Sequence, residues 1–388
     1  MLNAVSCQTI PASETETINK SYVWPYFKRE KRSEVILLEK RITLSQGAGG
    51  EHMDSLIKQS ILRHFIFDQD KSTISLSMLD DSAVIDDIVF STDSHTVKPI
   101  QFPGGDLGKL AVAGTVNDIA VMGATPIALS SGFIIEEGLL HKTYDEIVKS
   151  MAETAREAKT PIITGDTKVV EKGAIQEFMI NTSGIGRRSK FLDENIAEVK
   201  RYRRFEQDWL QDSNLSSGDK IILTGNIGEH GIALMSFREG YGFETQVKSD
   251  VAPLNELISQ SLKEGGLVSA KDPTRGGLAN TLNELSEKSN VGILIDEEKI
   301  PIPEGVKAAC DLLGLDPLQI GNEGKAVIGV VKEKAEYVLS IIQNHPLGKN
   351  AMIIGEVTAS ISGVVMETSV GGKRIIPKPV GDPVPRIC

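Results

Sequence analysis

Short apolar runs alternate with glycine-containing turns along most of the chain, a pattern that predicts a protein mixing strands with helices. In the first half, ITLSQGAGGEHMDSLIKQSILRHFI predicts a short strand, a glycine loop and an amphipathic helix. VIDDIVFSTDS alternates apolar and polar positions and predicts a strand that ends in a polar turn. KLAVAGTVNDIAVMGATPIALSSGFII predicts a helix, a break and a strand. YDEIVKSMAETAREAK predicts another helix, TPIITGDTKVV a strand entering a glycine loop, and INTSGIGRR a further strand.

A second run of the same kind begins at SSGDKIILTGNIGEHGIAL, which predicts a strand, a glycine turn and a helix. ELISQSLKEG, ANTLNELSEKS and VKAACDLLG predict further helices, and VGILIDE and AVIGVV predict strands. Neither half shows the regular strand–helix–strand spacing of a doubly wound sheet. The pattern therefore predicts an α+β architecture of two comparable halves.

Changes in composition divide the chain into five segments. Residues 1–40 are polar and predict a solvated N-terminal extension, with a binding element as the alternative. Residues 41–187 and 214–376 are the two halves, and the highly charged residues 188–213 between them predict a partly helical insertion. Residues 377–388 contain four prolines, which disfavour helix and predict an extended, mobile tail.

The tail ends in a cysteine, Cys388, and only two other cysteines occur, Cys7 and Cys310. Three widely spaced cysteines fit neither a disulfide framework nor a clustered metal–thiolate site, so a reducing cytoplasm is the expected location. A lone thiol at the end of an extended arm indicates a reactive group that the arm carries to a distant site.

Charge and hydropathy narrow the class of partner. The net charge of −11 disfavours a nucleic-acid or anionic-membrane surface, because the field of the protein repels polyanions. The N-terminus lacks the basic and apolar pattern of a secretory signal, and no run of about eighteen apolar residues is present to span a membrane. The expected protein is soluble, with no nucleic-acid or membrane partner.

Several aspartates of the first half lie at predicted strand ends, in tight loops or within a helix. Hard oxygen ligands of this kind suit Mg²⁺, which proteins commonly hold with a few carboxylates together with substrate phosphates. The alternative is that such residues cap turns and helices. One of them, Asp118, lies inside an otherwise apolar helical pattern, where a charge needs a partner. The set is Asp80, Asp81, Asp93, Asp118 and Asp166.

Two glycine-rich loops precede predicted helices. Gly47, Gly49 and Gly50 lie in SQGAGG, and FPGGDLGK ends in Lys109. Such loops can present backbone N–H groups to a phosphate, although neither is a Walker motif and glycine loops also serve as ordinary turns.

Three charged residues in other loops could also take part in chemistry. Lys168 in GDTKVV could stabilise developing negative charge, and Glu323, between glycines in GNEGK, could act as a base. Ion pairs at the surface or between domains are the alternative for both. Arg275 in KDPTRGGL could bind phosphate or pair with Asp272.

Several strings, in their order along the chain, resemble the HypE family of carbamoyl dehydratases from nickel–iron hydrogenase maturation. That family belongs to the aminoimidazole-ribonucleotide synthetase superfamily of ATP-binding enzymes. The strings are FPGGDLGKLAVAGTVNDIAVMGA, ITGDTKVVE, KDPTRGGLA, NEGK, HPLGK, IIGEV and the terminal PRIC. The resemblance runs from about Ile42 to Cys388, without residues 188–213. It implies an N-terminal mixed-sheet domain that forms a homodimer and a C-terminal α/β-sandwich domain.

The resemblance also implies an activity. The carbamoyltransferase HypF would place a carbamoyl group on Cys388, and ATP with Mg²⁺ would phosphorylate the carbamoyl oxygen. Elimination would then leave an S-cyanate. The cyanide would pass to iron on a HypC–HypD scaffold complex.

By the same resemblance, Cys388 carries the substrate, Lys168 polarises the carbamoyl group and Glu323 removes its proton. Magnesium would be held by Asp81, Asp93, Asp118 and Asp166. The nucleotide would be bound by Gly47, Gly49, Gly50, Asp81, Asp93, Lys109, Asn117, Asp118, Asp166, Thr167 and Arg275.

Three positions depart from the family pattern: Gln46 replaces a histidine, Glu229 an aspartate and Val251 a cysteine. Two alternatives remain open at this point. One is another enzyme of the superfamily, a thiamine-monophosphate kinase, a selenophosphate synthetase or the purine-pathway synthetase, although none of these explains a terminal cysteine. The other is a scaffold of the maturation complex that binds ATP without turnover.

Overall fold

The structure, a computed structural model, describes residues 41–65, 72–238 and 245–381. In the first half, strands β1, β2, β3, β8, β6 and β7 form one mixed sheet in that spatial order. All neighbouring pairs in it are antiparallel except β6 with β7. β4 and β5 form a separate short hairpin. The bounds are β1 Ser72–Ile74, β2 Ala83–Ile85, β3 Ile88–His95, β4 Gln101–Phe102, β5 Gly105–Asp106, β6 Ala124–Glu136, β7 Ile162–Val170 and β8 Phe178–Arg188.

The helices of the first half are α1 (Gly50–Leu56), α2 (Arg63–Phe65), α3 (Leu107–Val121) and α4 (His141–Glu157). α1 continues into a π-helical turn at Ile57–Leu62. α3 is apolar on nearly all sides and almost entirely buried, as expected of a helix in the middle of a core. Its first turn is capped by Asp106, which accepts a hydrogen bond from the Lys109 backbone N–H at 2.9 Å.

The second half is built around a seven-stranded sheet in the order β10-β12-β9-β13-β11-β14-β15, antiparallel except between β11 and β14. Among the described residues, five helices accompany it, and a sixth lies in the segment between the halves. The strands are β9 Lys220–Leu223, β10 Leu267–Lys271, β11 Gly292–Asp296, β12 Val327–Val330, β13 Met352–Thr358, β14 Val364–Glu367 and β15 Lys373–Ile376. The helices are α5 Leu192–Lys200, α6 Glu229–Phe237, α7 Asn255–Glu264, α8 Gly277–Ser289, α9 Glu304–Leu313 and α10 Ala335–Asn344.

The two halves share their hydrophobic core. One cluster of buried side chains joins Ile119 of α3 to the strands of the second sheet, and another joins the start of α3 to Ile232 of α6 and Val306 of α9. The charged segment 188–213 contributes Leu192 and Trp209 to the first of these clusters. The described residues from Ile42 onward form one compact unit, in which α3 lies between the halves.

The predicted α+β organisation in two halves is confirmed, as are the helix over KLAVAGTVNDIAV and the position of Asp118 within it. The predicted strand at ITL is wrong. Ile42 and Leu44 are exposed, and the Thr43 N–H donates to Gln46 Oε1 at 3.0 Å, which starts a 3₁₀ turn instead.

The predicted placement of Asp166 at a strand end or in a tight loop is also wrong, because β7 continues to Val170. Parallel pairing with β6 extends over this whole length and places Asp166 opposite Gly132, in mid-strand. The predicted segment boundaries stay predictions. The N-terminal extension with Cys7, and the end of the tail with Cys388, lie outside the described residues. Among the described helices, none is long and apolar enough to cross a membrane.

Candidate active site

A cavity of about 580 Å³ opens between the two halves, which is within the usual size range of small-molecule sites. The first half lines it with the start of α1, the loop that leads into β2, the strand β3, and part of α3. The second half contributes the loop after β10, the start of α8, and Glu323 from the loop before β12. Side chains that are far apart in the sequence therefore meet at one place.

Six aspartates line this cavity, among them Asp81, Asp93 and Asp118. Because side chains alternate along a strand, Ser91 and Asp93 of β3 share one face, and both contact α3. The Ser91 hydroxyl donates to Asp118 Oδ2 at 2.7 Å, and the Thr115 hydroxyl donates to Asp93 Oδ2 at 2.9 Å. These hydrogen bonds hold two carboxylates of neighbouring elements toward the same space.

The carboxylates affect one another electrostatically. Burial raises the pKa of Asp118 well above its usual range, and the charges of Asp93, Asp272 and Asp81 raise it further. Burial likewise raises the pKa of Asp81 well above its usual range, against the opposing effect of Lys271. Burial raises the pKa of Asp272 to about 6. A cation in the cavity would relieve this repulsion.

The donor set fits Mg²⁺ in its chemistry. Asp81 Oδ2 is buried and has no hydrogen-bond partner, so it is an oxygen with an unused coordination position. In the described part of the chain, however, no three His, Cys, Asp or Glu side chains already stand in an arrangement that could hold a metal ion. Metal binding would thus require the carboxylates to draw closer, or phosphate oxygens to complete the shell.

Glu323 is almost entirely buried at the edge of this carboxylate group. Its backbone N–H donates to Asp250 Oδ1 at 3.1 Å, and the Asn117 side chain donates to its carbonyl oxygen at 3.4 Å. Burial raises the pKa of Glu323 well above its usual range, the charges of Asp272 and Asp250 act in the same direction, and Arg275 opposes them. A carboxyl group with a raised pKa is a stronger base once it is ionised.

A buried ion network underlies the aspartates. The Lys271 ammonium lies at the end of β10 and contacts Asp81, with Asp212 Oδ2 at 3.1 Å and Glu284 Oε2 at 3.4 Å. Lys288 of α8 pairs with the same Asp212 at 2.7 Å. Asp212 comes from the segment 188–213, so this segment helps to position Asp81 through Lys271.

Replacing Lys271 by methionine is expected to lower the free energy of unfolding by about 3–5 kcal/mol, because the buried Asp81 would lose its cation and Asp212 would keep only Lys288. Urea denaturation of the variant and the unaltered protein measures this difference. Lys263→Met, on the exposed side of α7, is the matched control and should change stability by well under 1 kcal/mol. A loss as small in Lys271→Met as in the control would contradict the network's role.

Comparisons with known proteins show which family the chain belongs to. The protein-family model named AIR synthase related protein, N-terminal domain, matches residues 79–188 of the sequence. The family model for the corresponding C-terminal domain matches residues 216–367. Carbamoyl dehydratase HypE of Rhizobium leguminosarum bv. viciae is 45% identical over 351 residues, covering 90% of this chain and 95% of that protein. The chain belongs to the HypE carbamoyl dehydratase family.

Two solved structures are similar throughout. A chain of the HypE–HypF complex superposes with a TM-score of 0.75 and 44% identity, over 84% of this chain and 100% of that one. The hydrogenase maturation protein HypE in complex with ATP superposes with a TM-score of 0.70 and 40% identity, over 89% of this chain and 100% of that one. The two-domain fold expected from the resemblance is therefore confirmed for this HypE-family chain.

The structure brings together about half of the residues that the sequence singled out. Those that line the cavity are Gly49, Gly50, Asp80, Asp81, Asp93, Asp118, Arg275 and Glu323. Those that do not line it are Gly47, Lys109, Asn117, Asp166, Thr167 and Lys168. Asn117 is buried, and its amide binds the backbone of Ala252, Leu254 and Glu323, so it positions the Glu323 loop. Lys109 Nζ approaches the Gly104 carbonyl at 3.5 Å.

Asp166 and Lys168 lie on β7, at the edge of the first sheet. Their side chains are 74% and 69% exposed and pair with each other at 3.3 Å. The hydrogen bond from Lys168 lowers the pKa of Asp166. Within the described part of this single chain, these two residues are therefore not part of the cavity.

The three departures of this HypE-family chain lie outside the cavity lining. Gln46 caps the turn at Thr43. Glu229 accepts a hydrogen bond from Asn226 at 3.2 Å and lies 4.0 Å from Lys325, which itself pairs with the buried Asp250. Val251 is buried in the core cluster at the start of α3. Of the three, Glu229 and Val251 lie near Asp250, which accepts a hydrogen bond from the Glu323 N–H.

Sequence reasoning missed Lys271, Asp212 and Asp250. A signal existed for the first of these, since Lys271 ends a strand whose five residues are all buried, and a buried lysine requires a partner. Its partner Asp212 lies in a highly charged segment where no single aspartate stands out. Only the folded chain shows the pairing.

Proposed function

We propose that this chain uses ATP to dehydrate a carbamoyl group on its own Cys388, leaving an S-cyanate that supplies the cyanide ligand of a nickel–iron hydrogenase. The observation that carries the proposal is the cavity itself. It combines Asp81, Asp93 and Asp118 with Glu323, a buried carboxyl group of raised pKa, in a HypE-family chain that ends in cysteine. A relative in this family is described as a HypE in complex with ATP.

The chemistry requires the carbamoyl oxygen to become a leaving group before it departs. ATP, when bound, would supply the phosphoryl group for this, and Mg²⁺ would neutralise charge on the phosphates. Asp81, Asp93 and Asp118 are the residues we assign to hold the metal. Two N–H protons leave in all, the C–O bond breaks with its electron pair going to phosphate, and the sulfur keeps the C≡N group.

Glu323 is the group we assign to take a proton from the carbamoyl nitrogen. Its raised pKa makes it a stronger base, once ionised, than an ordinary carboxylate. Asp250 and Asn117 fix its backbone, so that the carboxylate is held at the cavity wall.

The proposed partners follow from the family. A relative is known in a HypE–HypF complex, and we propose HypF as the source of the carbamoyl group on Cys388. The cyanide would pass on to iron held by a HypC–HypD scaffold. A cytoplasmic location agrees with the isolated cysteines of the sequence.

A homodimer is part of the proposal. β7 is an edge strand whose side chains are mostly exposed, including Ile163 and Val169 at 66% and 68%. An exposed apolar edge of this length is typical of a surface that another chain covers. A second copy docked along β7 would also enclose Asp166 and Lys168, which gives Lys168 a route to its proposed role in polarising the carbamoyl group.

Val169→Lys is expected to convert the protein from twice the mass of one chain to the mass of one chain, measured by light scattering at micromolar concentration. A charge at this position would be buried without a partner in the interface. Leu312→Lys places the same charge on an equally exposed leucine of α9 and should leave the mass unchanged. A monomeric unaltered protein would refute the dimer.

Mass spectrometry tests the function directly. The chain is incubated with HypF, carbamoyl phosphate and Mg·ATP, and is then digested to isolate its C-terminal peptide. The expected result is the added mass of a carbamoyl group on Cys388, followed by the loss of one water. Cys388→Ala should show neither change. Dehydration at the unaltered rate in that variant would refute the proposal.

A further inference from the structure

The beginning of the C-terminal tail is held at the edge of the cavity. After β15 ends at Ile376, Lys378 turns inward, and its ammonium donates to Asp54 Oδ2 at 2.8 Å and to Glu287 Oε2 at 3.0 Å. Only 9% of the Lys378 side chain is exposed. Burial works against the charge of Lys378, but the two carboxylates more than offset this and raise its pKa.

The tail backbone is bound as well. The Glu51 N–H donates to the Pro379 carbonyl at 3.0 Å, and the His52 N–H donates to the Val380 carbonyl at 3.4 Å. Both donors lie in the first turn of α1, where backbone N–H groups have no partner within the helix. The tail carbonyls thereby accept hydrogen bonds from N–H groups that would otherwise need water or a side chain as the acceptor.

Gly50 shows how close this contact is. Its φ is +74°, and a Cβ at this position would lie 1.9 Å from the Pro379 carbonyl oxygen. No side chain fits there while the tail is bound. Gly50, the last glycine of the loop that the sequence suggested for phosphate, is in this structure part of a seat for the tail, together with Glu51 and His52.

The seat and the cavity share residues. Gly50 and Asp54 line the cavity on one side and contact the tail on the other. From Gly381 to Cys388 there are 388 − 381 = 7 residues, which span at most about 25 Å when extended. A tail that starts at this seat keeps Cys388 within that distance of the cavity edge.

We infer that Lys378, clasped by Asp54 and Glu287, is a positioning residue for the dehydration of the carbamoyl group on Cys388. The clasp fixes where the arm begins, so that the last seven residues alone bring the thiol to the cavity. Holding one end of the arm raises the effective concentration of the carbamoyl group at the site. This inference rests on the function proposed above and adds to it the residues that aim the carrier.

The test compares Lys378→Met, Lys378→Arg and the unaltered chain. Each is carbamoylated beforehand, and the rate of water loss from Cys388 is followed in a single turnover at saturating Mg·ATP, together with the ATP concentration that gives half the maximal rate. Lys373→Met, on the exposed side of β15, is the matched control. Thermal unfolding checks that each variant is folded.

Lys378→Met is expected to lower the maximal rate about tenfold while the half-saturating ATP concentration stays unchanged. Lys378→Arg, which keeps the charge, should retain most of the rate, and Lys373→Met all of it. Glu287→Gln, which removes one partner outside the cavity lining, should lower the rate less than Lys378→Met does.

A folded Lys378→Met variant whose carbamoyl group is dehydrated at the unaltered rate would overturn the proposed positioning role of Lys378. So would an equal loss of rate in Lys373→Met. If instead the unaltered chain loses no water at Cys388, it is the proposed function that fails, and the two outcomes are distinguished within the same experiment.

Discussion

Replacing Glu323 by glutamine is expected to slow the dehydration of the carbamoylated chain by about 10²–10⁴-fold, the usual contribution of a positioned general base. Glutamine has almost the same shape, and the backbone bond to Asp250 does not depend on the side chain. The fold and the binding of ATP should therefore be retained. Single-turnover mass spectrometry of the Cys388 peptide measures the rate, and isothermal titration measures nucleotide affinity.

Glu336→Gln, on the exposed side of α10, makes the same chemical change far from the cavity and should dehydrate normally. Near-normal rates in Glu323→Gln would show that another group accepts the proton. An equal loss of ATP affinity and rate would mean that Glu323 acts in binding, and the assignment as a base would be withdrawn.

Replacing Asp118 by asparagine is expected to have two opposite effects. It should abolish most of the stabilisation that Mg·ATP gives to the unaltered protein, about 2.7 kcal/mol at a hundredfold excess over Kd. Without ligand, however, the variant should be the more stable protein at pH 7.5, because it removes one member of a buried group of like charges. The Ser91 hydroxyl can still donate to the asparagine oxygen.

The second effect depends on pH in a definite direction. The pKa of Asp118 is raised in the folded state, so the folded protein binds a proton more tightly than the unfolded chain does. Stability contributed by this proton is present at low pH and is lost as the pH rises through the raised pKa. The advantage of Asp118→Asn should therefore be absent near pH 4 and grow toward pH 8.

Thermal unfolding across this pH range, with and without Mg·ATP, measures both effects. Asp145→Asn, on an exposed turn of α4, is the control and should change neither. A variant that is stabilised by Mg·ATP as much as the unaltered protein would exclude Asp118 from the metal site. A variant that is less stable than the unaltered protein at pH 8 would contradict the repulsion among the carboxylates.

The sequence predicted the parts of the site that depend on local pattern. Asp118 stood out because a helical period surrounded it with apolar residues, and such a charge requires a partner. Glu323 stood out because it lies between glycines in a short loop. In both cases the neighbouring residues along the chain carried the signal, and the structure places both side chains at the cavity.

The rest depended on contacts between distant parts of the chain. Whether β7 lies at the centre or at the edge of its sheet is decided by strand order, which the alternation within TPIITGDTKVV does not encode. The exposure of Asp166 and Lys168 follows from that order. The contact between Gly50 and Pro379 of the tail joins positions that are far apart in the sequence, and no local pattern indicates it.

The central claim is that ATP bound in this cavity activates the oxygen of the carbamoyl group carried by Cys388. The most direct measurement uses a carbamoyl group labelled with heavy oxygen and follows the label after one turnover with unlabelled Mg·ATP. The label is expected to appear in the inorganic phosphate, in an amount equal to the S-cyanate formed. Label found in water, with unlabelled phosphate, would contradict it.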